Sequence, residues 1–244
     1  MVNEAFALVS FLIFMVLVLI ATRMGKMYLF ILSTSFILLS NITIQIPVRV
    51  VTLPITWAVI IYSPIYLITD ILNEFYDRTQ AYKLAACNLI VQLFLWGYVY
   101  LSLQVTPLPE GTAAYKTMND LFASTARITF AAMIAALGPF VDIFIYQRIQ
   151  ERAMARGGWL SKLWLRNNLS TWVGQTSNTF VFFVVAFYGQ FQQEGLLLSI
   201  IATALVVKLA MAVGNTPFIY LAHWFPPVDS KNVRLRPSIP VAAR

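Results

Sequence analysis

Seven apolar runs, each about as long as a bilayer is thick, constrain this chain more than any other feature. A spanning helix needs roughly 20 mainly apolar residues. Runs of that kind fall at about 5–22, 28–46, 51–72, 83–105, 125–146, 169–190 and 196–222. The second and third are parted only by the turn around Pro47, Val48 and Arg49. The others are divided by segments containing Gly, Pro or charge. The pattern predicts an all-α integral membrane protein, a helical bundle of about seven transmembrane helices. Residues 1–225 form its single transmembrane domain, and 226–244 form a basic, Pro-containing cytoplasmic tail.

Composition gives the same answer. Hydrophobic residues make up 59% of the 244 and charged residues 11%, against roughly 25% charged in a soluble domain. So little polar surface cannot cover a globule in water, whereas lipid solvates apolar side chains directly. The net charge of +7 would suggest nucleic acid in a soluble protein. Here the basic residues lie between apolar runs, and topology accounts for them without a nucleic-acid partner. With the N-terminus outside, the inner loops and tail carry Arg23, Lys26, Arg78, Lys83, Arg148, Arg152, Arg156, Lys162, Arg166, Lys231, Arg234, Arg236 and Arg244. Only Arg49 and Lys116 fall outside. The expected topology is therefore a multi-pass protein of the inner (plasma) membrane, N-terminus out and C-terminus in. The loop Thr106–Ser124 is then external, with room for a short surface helix.

The first run follows Glu4 with no basic segment ahead of it, and Arg23 and Lys26 come after it. That reverses the charge order of a secretory signal, so it reads as a retained helix. One cysteine, Cys87, and one histidine, His223, cannot build a metal site of the usual nitrogen and sulfur kind. No cofactor is called for. Gly-x-Ser-x-Gly and His-Glu-x-x-His are absent, and no histidine lies in mid-membrane, which argues against an enzyme. No phosphate-binding loop is present, so any use of ATP would need a second protein.

Charge inside a bilayer costs at least ~2.5–3.5 kcal/mol per residue, which makes the intramembrane ionisable residues candidates for function. They are Asp70, Glu74, Arg127, Asp142 and Lys208. Lys208 sits near the middle of the last run, and Asn215, seven residues on, shares its face. An acidic residue on another helix, Asp142 among them, is a possible partner for it. Asp70 and Glu74 are four apart on one face, with Tyr66 and Asn73 as neighbours. Glu74 lies nearer the cytoplasm and could instead meet headgroup water. Arg127 and Asp142 lie about 22 Å apart along one helix and cannot pair with each other. Arg127 could simply anchor at headgroups.

Gln175 and Asn178 are three apart in the sixth run, with Asn178 at about the depth of Lys208. Asn41 and Gln45 are four apart in the second. Amides can read the edge of a planar heterocycle, or only join helices at ~0.6 kcal/mol each. Trp57 and Tyr66 could stack on a base or belong to the core. Pro64, Pro139 and Pro217 each fall in a run going from outside to inside, a weak trace of internal repetition.

These residues stand in recognisable surroundings. Ser63–Tyr76, reading SPIYLITDILNEFY, resembles the signature segment of the bacterial queuosine-precursor transporters, the vitamin-uptake-transporter-like family. Asn41–Pro47, the stretch FVDIFIYQR at 140–148, the stretch WLRNNLSTWVGQTSNTFVFF at 164–183, and the last run with Lys208 and Thr216–Leu221 are similar to it too. The resemblance spans roughly residues 28–222, and it implies a six-helix family core to which the first run is added. It also implies import of a small-molecule 7-deazaguanine base for salvage into transfer-RNA modification. Such bases are 7-cyano- or 7-aminomethyl-7-deazaguanine, or queuine. The positions matching family motifs are Asn41, Asp70, Glu74, Arg127, Asp142, Gln175, Asn178 and Lys208. Gln45, Tyr66 and Asn215 join them as candidate binding residues from the reading above.

Family members often carry Asp at the position of Asn178, an acidic residue near Asn215, and Gly at the position of Asp77. Loss of a carboxylate beside Lys208 would favour a neutral base over a cationic one. A different reading is a membrane subunit that binds another small heterocycle or vitamin and works with a separate energising partner. Homo-oligomers are compatible with either.

Overall fold

The computed structural model describes residues 2–44, 46–50, 53–122, 134, 137–156, 163–187 and 196–229. Its helices are α1 (Val2–Met24), α2 (Lys26–Thr43), α3 (Ala58–Phe75), α4 (Arg78–Ser102), α5 (Thr112–Phe122), α6 (Gly138–Arg156), α7 (Leu163–Phe187) and α8 (Leu196–Trp224). A 3-10 turn, Pro109–Gly111, leads into α5. Five of these helices, α1, α2, α3, α4 and α8, are long and apolar enough to cross a membrane. Large apolar side chains cover the outside of the bundle, for example Phe6, Ile13, Ile31, Phe94 and Val206. In water such a surface would aggregate; in lipid it is the solvated face. The expected helical membrane bundle is the observed one.

The third apolar run departs from expectation. Pro47–Val50 (β1) and Leu53–Thr56 (β2) form an antiparallel hairpin, with Pro47 opposite Thr56 and Val50 opposite Leu53. The helix starts only at Ala58. A short apolar stretch of β-branched residues fits a strand as well as a helix, and periodicity does not separate them. Pro54 further disfavours helix there, because its ring clashes with the preceding turn. Asn3 Nδ2 donates to Arg49 O at 3.0 Å, so the start of α1 and the hairpin share one end of the molecule.

α3 is the axis of the bundle. Of its spanning window 89% is buried, against 22–28% for the other four spanning helices. It packs on α1, α2, α4, α6 and α8. Its core residues include Ile65, Leu67, Ile68, Ile71 and Leu72. α7 packs between α6 and α8 and reaches α3 mainly through side chains.

The other end of the bundle is closed by contacts distant in sequence. Gly25 joins α1 to α2 with φ +113°, a backbone conformation open in practice only to glycine. Asp229 then caps α2, accepting from Lys26 N at 3.2 Å, and also accepts from the Tyr76 hydroxyl. Burial and the neighbouring Asp229 carboxylate hold the Tyr76 phenol far above its usual range, so it remains a donor. Arg23 Nη1 donates to Pro226 O at 3.0 Å. Asp77 caps α4 by accepting from Gln80 N at 3.1 Å, the usual role of an Asp at a helix N-terminus. A Cβ on Gly25 would lie 2.9 Å from the Asp229 carboxylate. Gly25→Ala is therefore expected to destabilise the protein by about 1–3 kcal/mol, read as a lower melting temperature in detergent.

The same end gathers Arg23, Lys26 and Arg78, and Arg78 lies 3.9 Å from Glu151 of α6. The fifth apolar run, 125–146, differs in its limits from α6, which continues through Arg148, Glu151 and Arg152. Arg127 and Gln45 lie outside the described residues. The expected surface helix in the loop after α4 is α5, held by Tyr115 Oη donating to Leu103 O at 2.6 Å.

Candidate functional site

Polar residues at helical spacing form a stripe along α3: Tyr62, Tyr66, Asp70 and Glu74. Each step of four brings the next side chain to the same face. On α7, Thr171, Gln175 and Asn178 form the matching stripe. The helices run antiparallel, so the stripes meet rung by rung. Thr171 Oγ1 donates to Asp70 Oδ2 at 3.3 Å, and Asn178 Nδ2 donates to Tyr66 Oη at 3.1 Å. Gln175 lies between these two rungs.

α6 supplies the third wall. Asp142 lies within electrostatic reach of both Asp70 and Tyr66. One turn on, Tyr146 Oη donates to Glu74 Oε2 at 2.7 Å. α6 and α7 come this close because Gly174 has no side chain: a Cβ there would lie 2.8 Å from Asp142 Cβ and 3.2 Å from Asp142 Cα. Gly138 gives Asn178 the same clearance, at 2.8 Å from its Cβ.

α8 closes the site. Lys208 Nζ donates to Thr179 Oγ1 at 3.0 Å and lies 5.3 Å from the centre of the Tyr62 ring, a cation–π contact. The pairing of Lys208 with Asp142 suggested by sequence is not formed. The ammonium engages a hydroxyl and a ring, while Asp142 faces Asp70, Ser170 and Gly174. Asn215 joins α8 to α3, accepting from Ser63 Oγ at 2.8 Å and donating to Ser63 O at 3.0 Å. Asn168 Nδ2 ties α7 to α8 through Thr216 Oγ1 at 2.7 Å.

The interior is rich in acceptors without donors. Among the described residues, Asp70 Oδ1, both carboxylate oxygens of Asp142, Gln175 Oε1 and Asn167 Oδ1 are buried with no hydrogen-bond partner. Ser170 stands beside Asp142, but its hydroxyl donates to Asn167 O at 3.2 Å. Buried acceptors are almost always paired in folded proteins, so several together on facing helices mark a place suited to a ligand carrying N–H or O–H donors.

Asn41 and Glu74 are the remaining sequence candidates among the described residues. Asn41 is half-buried, and its Nδ2 donates to Ile37 O of its own helix at 2.8 Å. Glu74 does not face headgroup water: its side chain is 1% exposed, with His223 Nε2 at 3.8 Å. Tyr62, Tyr146, Asn167 and Thr171 escaped sequence reasoning as site residues. Each could have been reached by stepping four residues from Tyr66, Asp142 or Gln175, or eight in the case of Asn167. On α4, Asn88 is buried and donates to Ser33 Oγ at 2.9 Å, away from this cluster.

Fold and site together define a class: a multi-pass helical membrane protein with its polar groups gathered around a central helix. Residues 56–222 match the family described as "Putative vitamin uptake transporter", and the chain belongs to that family. It is 28% identical over 237 residues to a "Probable queuosine precursor transporter" of Bacillus subtilis (strain 168), covering 95% of this chain and all of the relative. It is also 28% identical over 149 residues to the "Queuosine precursor transporter" of Escherichia coli (strain K12), covering 61% of this chain and 62% of the relative. No solved structure matches. The resemblance carried by Ser63–Tyr76 and its companion stretches is thus borne out at the level of the family.

Proposed function

We propose that this protein imports a queuosine precursor, a 7-deazaguanine base, across the inner membrane for transfer-RNA modification, with no enzymatic step of its own. The observation that carries this reading is the set of unpartnered buried acceptors on α3, α6 and α7, opposite the Lys208 ammonium. A guanine-type edge presents N–H donors at N1 and N2 beside an acceptor at O6. Asp70, Asp142 and Gln175 can accept the first two, and Lys208 can donate to the third. A base lacking either feature would leave buried polar groups unpaired and be rejected. The printed names of both relatives support the same substrate class.

The orientation is part of the proposal. Arg23, Lys26, Arg78 and Arg152 lie toward one end of the bundle, and Arg49 belongs to the hairpin at the other. The positive-inside bias assigns the first end to the cytoplasm. α3 and α8, which bear Pro64 and Pro217, then both run inward.

The test is growth rescue and transfer-RNA queuosine content in a bacterium that neither makes nor imports deazaguanines. Expression of this chain is expected to restore queuosine when a base is supplied at low concentration. Failure with every base, despite correct membrane insertion, removes the substrate assignment. Asn178 sets the preference among the bases. With an amide rather than a carboxylate beside Thr179 and Lys208, a neutral 7-cyano base is favoured over a cationic aminomethyl one. Asn178→Asp is expected to shift the uptake ratio toward the cationic base by roughly tenfold, the effect of about 1.4 kcal/mol. Competition uptake with both bases measures it.

A further inference from the structure

Two buried carboxylates lie within electrostatic reach of each other in this interior. Thr171 contacts Asp70, and Gly174, three residues on and on the same face of α7, contacts Asp142. Asp142 is 0% exposed and Asp70 1%. Three of their four oxygens accept no hydrogen bond, and the fourth accepts only the Thr171 hydroxyl. Among the described residues, the other ionisable groups facing the pair are Glu74, one turn along α3 and held by Tyr146, and the phenol of Tyr66. Lys208 is turned to Thr179 and Tyr62. Among the described residues, the pair therefore has no counter-ion in contact with it. Like charges within electrostatic reach of each other in an apolar interior resist ionising together.

We propose that Asp70 and Asp142 form a proton-binding site, and that base and proton bind it together. This rests on the import reading above. The singly protonated pair is one carboxylate and one carboxylic acid. The carboxylate accepts from N1–H and N2–H, and the acid donates to O6, whose other lone pair accepts from Lys208. The pair in that state matches a guanine-type edge, donor to acceptor. The doubly ionised pair sets a second negative charge against O6 and does not. Binding linkage is reciprocal: the proton tightens the base, and the base tightens the proton. With Lys208 charged, the singly protonated pair sets one negative charge against one positive while it holds a neutral base. Uptake is then linked to the inward proton gradient.

The test uses purified full-length protein and calorimetric binding of 7-cyano-7-deazaguanine from mildly acidic to alkaline pH. Wild-type affinity is expected to fall about tenfold per pH unit on the alkaline limb, the slope of a single linked proton. Asp142→Asn fixes an acid-like donor and acceptor at that position, so its binding is expected to lose this slope. In proteoliposomes, an acid exterior is expected to raise wild-type accumulation, and a protonophore to remove the rise. Binding that does not vary with pH in the wild type overturns the proton site and leaves the transporter reading standing. Should no deazaguanine bind at any pH, the transporter reading falls, and infrared spectroscopy still decides the proton site. The substrate-free protein is expected to show the carbonyl stretch of a protonated, buried carboxylic acid, lost in Asp142→Asn. Absence of that band overturns the proposal.

Discussion

Gly174→Val is expected to lower the melting temperature and the yield of folded protein markedly. The Cβ alone would lie 2.8 Å from Asp142 Cβ, 3.2 Å from its Cα and 3.4 Å from its N. Most of these are backbone atoms, so a side-chain rotation cannot relieve the contact. Either α6 moves away from α7 or the pair fails to dock. Overpacking of this kind typically costs about 1–3 kcal/mol, and a branched side chain lies at the upper end. Moving α6 also carries Asp142 away from Asp70 and Tyr146 away from Glu74. Gly174→Ala is therefore expected to lose transport even where it still folds. Fluorescence-detected size exclusion and thermal melting in detergent measure the first effect, and uptake the second. Gly138→Ala is expected to be milder, because the atoms it meets belong to the Asn178 side chain.

Lys208→Met is expected to reduce uptake by roughly 10–100-fold while leaving the protein folded. Methionine keeps the length and apolar stem but removes the charge. A hydrogen bond to a charged group is worth about 1.5–3 kcal/mol, and each 1.4 kcal/mol is tenfold. The fold tolerates the change because Lys208 makes no ion pair whose loss would strand a buried carboxylate. Its partners are the Thr179 hydroxyl and the Tyr62 ring. Lys208→Arg is expected not to restore uptake, since a planar fork cannot replace a compact ammonium between those two groups. Initial uptake rates at matched surface expression provide the measurement. Retained uptake in Lys208→Met would remove the ammonium from the recognition of O6.

The sequence carried the membrane architecture plainly, because runs such as 5–22 and 196–222 admit no other solvent. It also carried the α3 stripe, since Tyr66, Asp70 and Glu74 are spaced by four and their cost inside lipid marks them out. Ionisable groups could be found this way, but not their partners. Lys208 pointing to Thr179 rather than to Asp142 depends on how α6, α7 and α8 dock, and that docking depends on two glycines whose role is to lack side chains. Nothing local distinguishes Gly174 from a glycine such as Gly97, which has open space around it. The hairpin was missed because hydropathy reports what surrounds a segment rather than its backbone. For the same reason the fifth run was ended at 146, whereas α6 continues to Arg156.

The bond between Lys26 N and Asp229 spans 203 residues, and that separation bears on how the protein is made. The α1–α2 turn is built first, yet the carboxylate that caps it arrives only after α8 has been synthesised. During insertion the first helical pair must wait in the bilayer with its Gly25 corner unfastened, free to re-pack as later helices enter. Closure of this end of the bundle must therefore wait for α8, and a chain cut short after Trp224 would lack the carboxylate that caps α2.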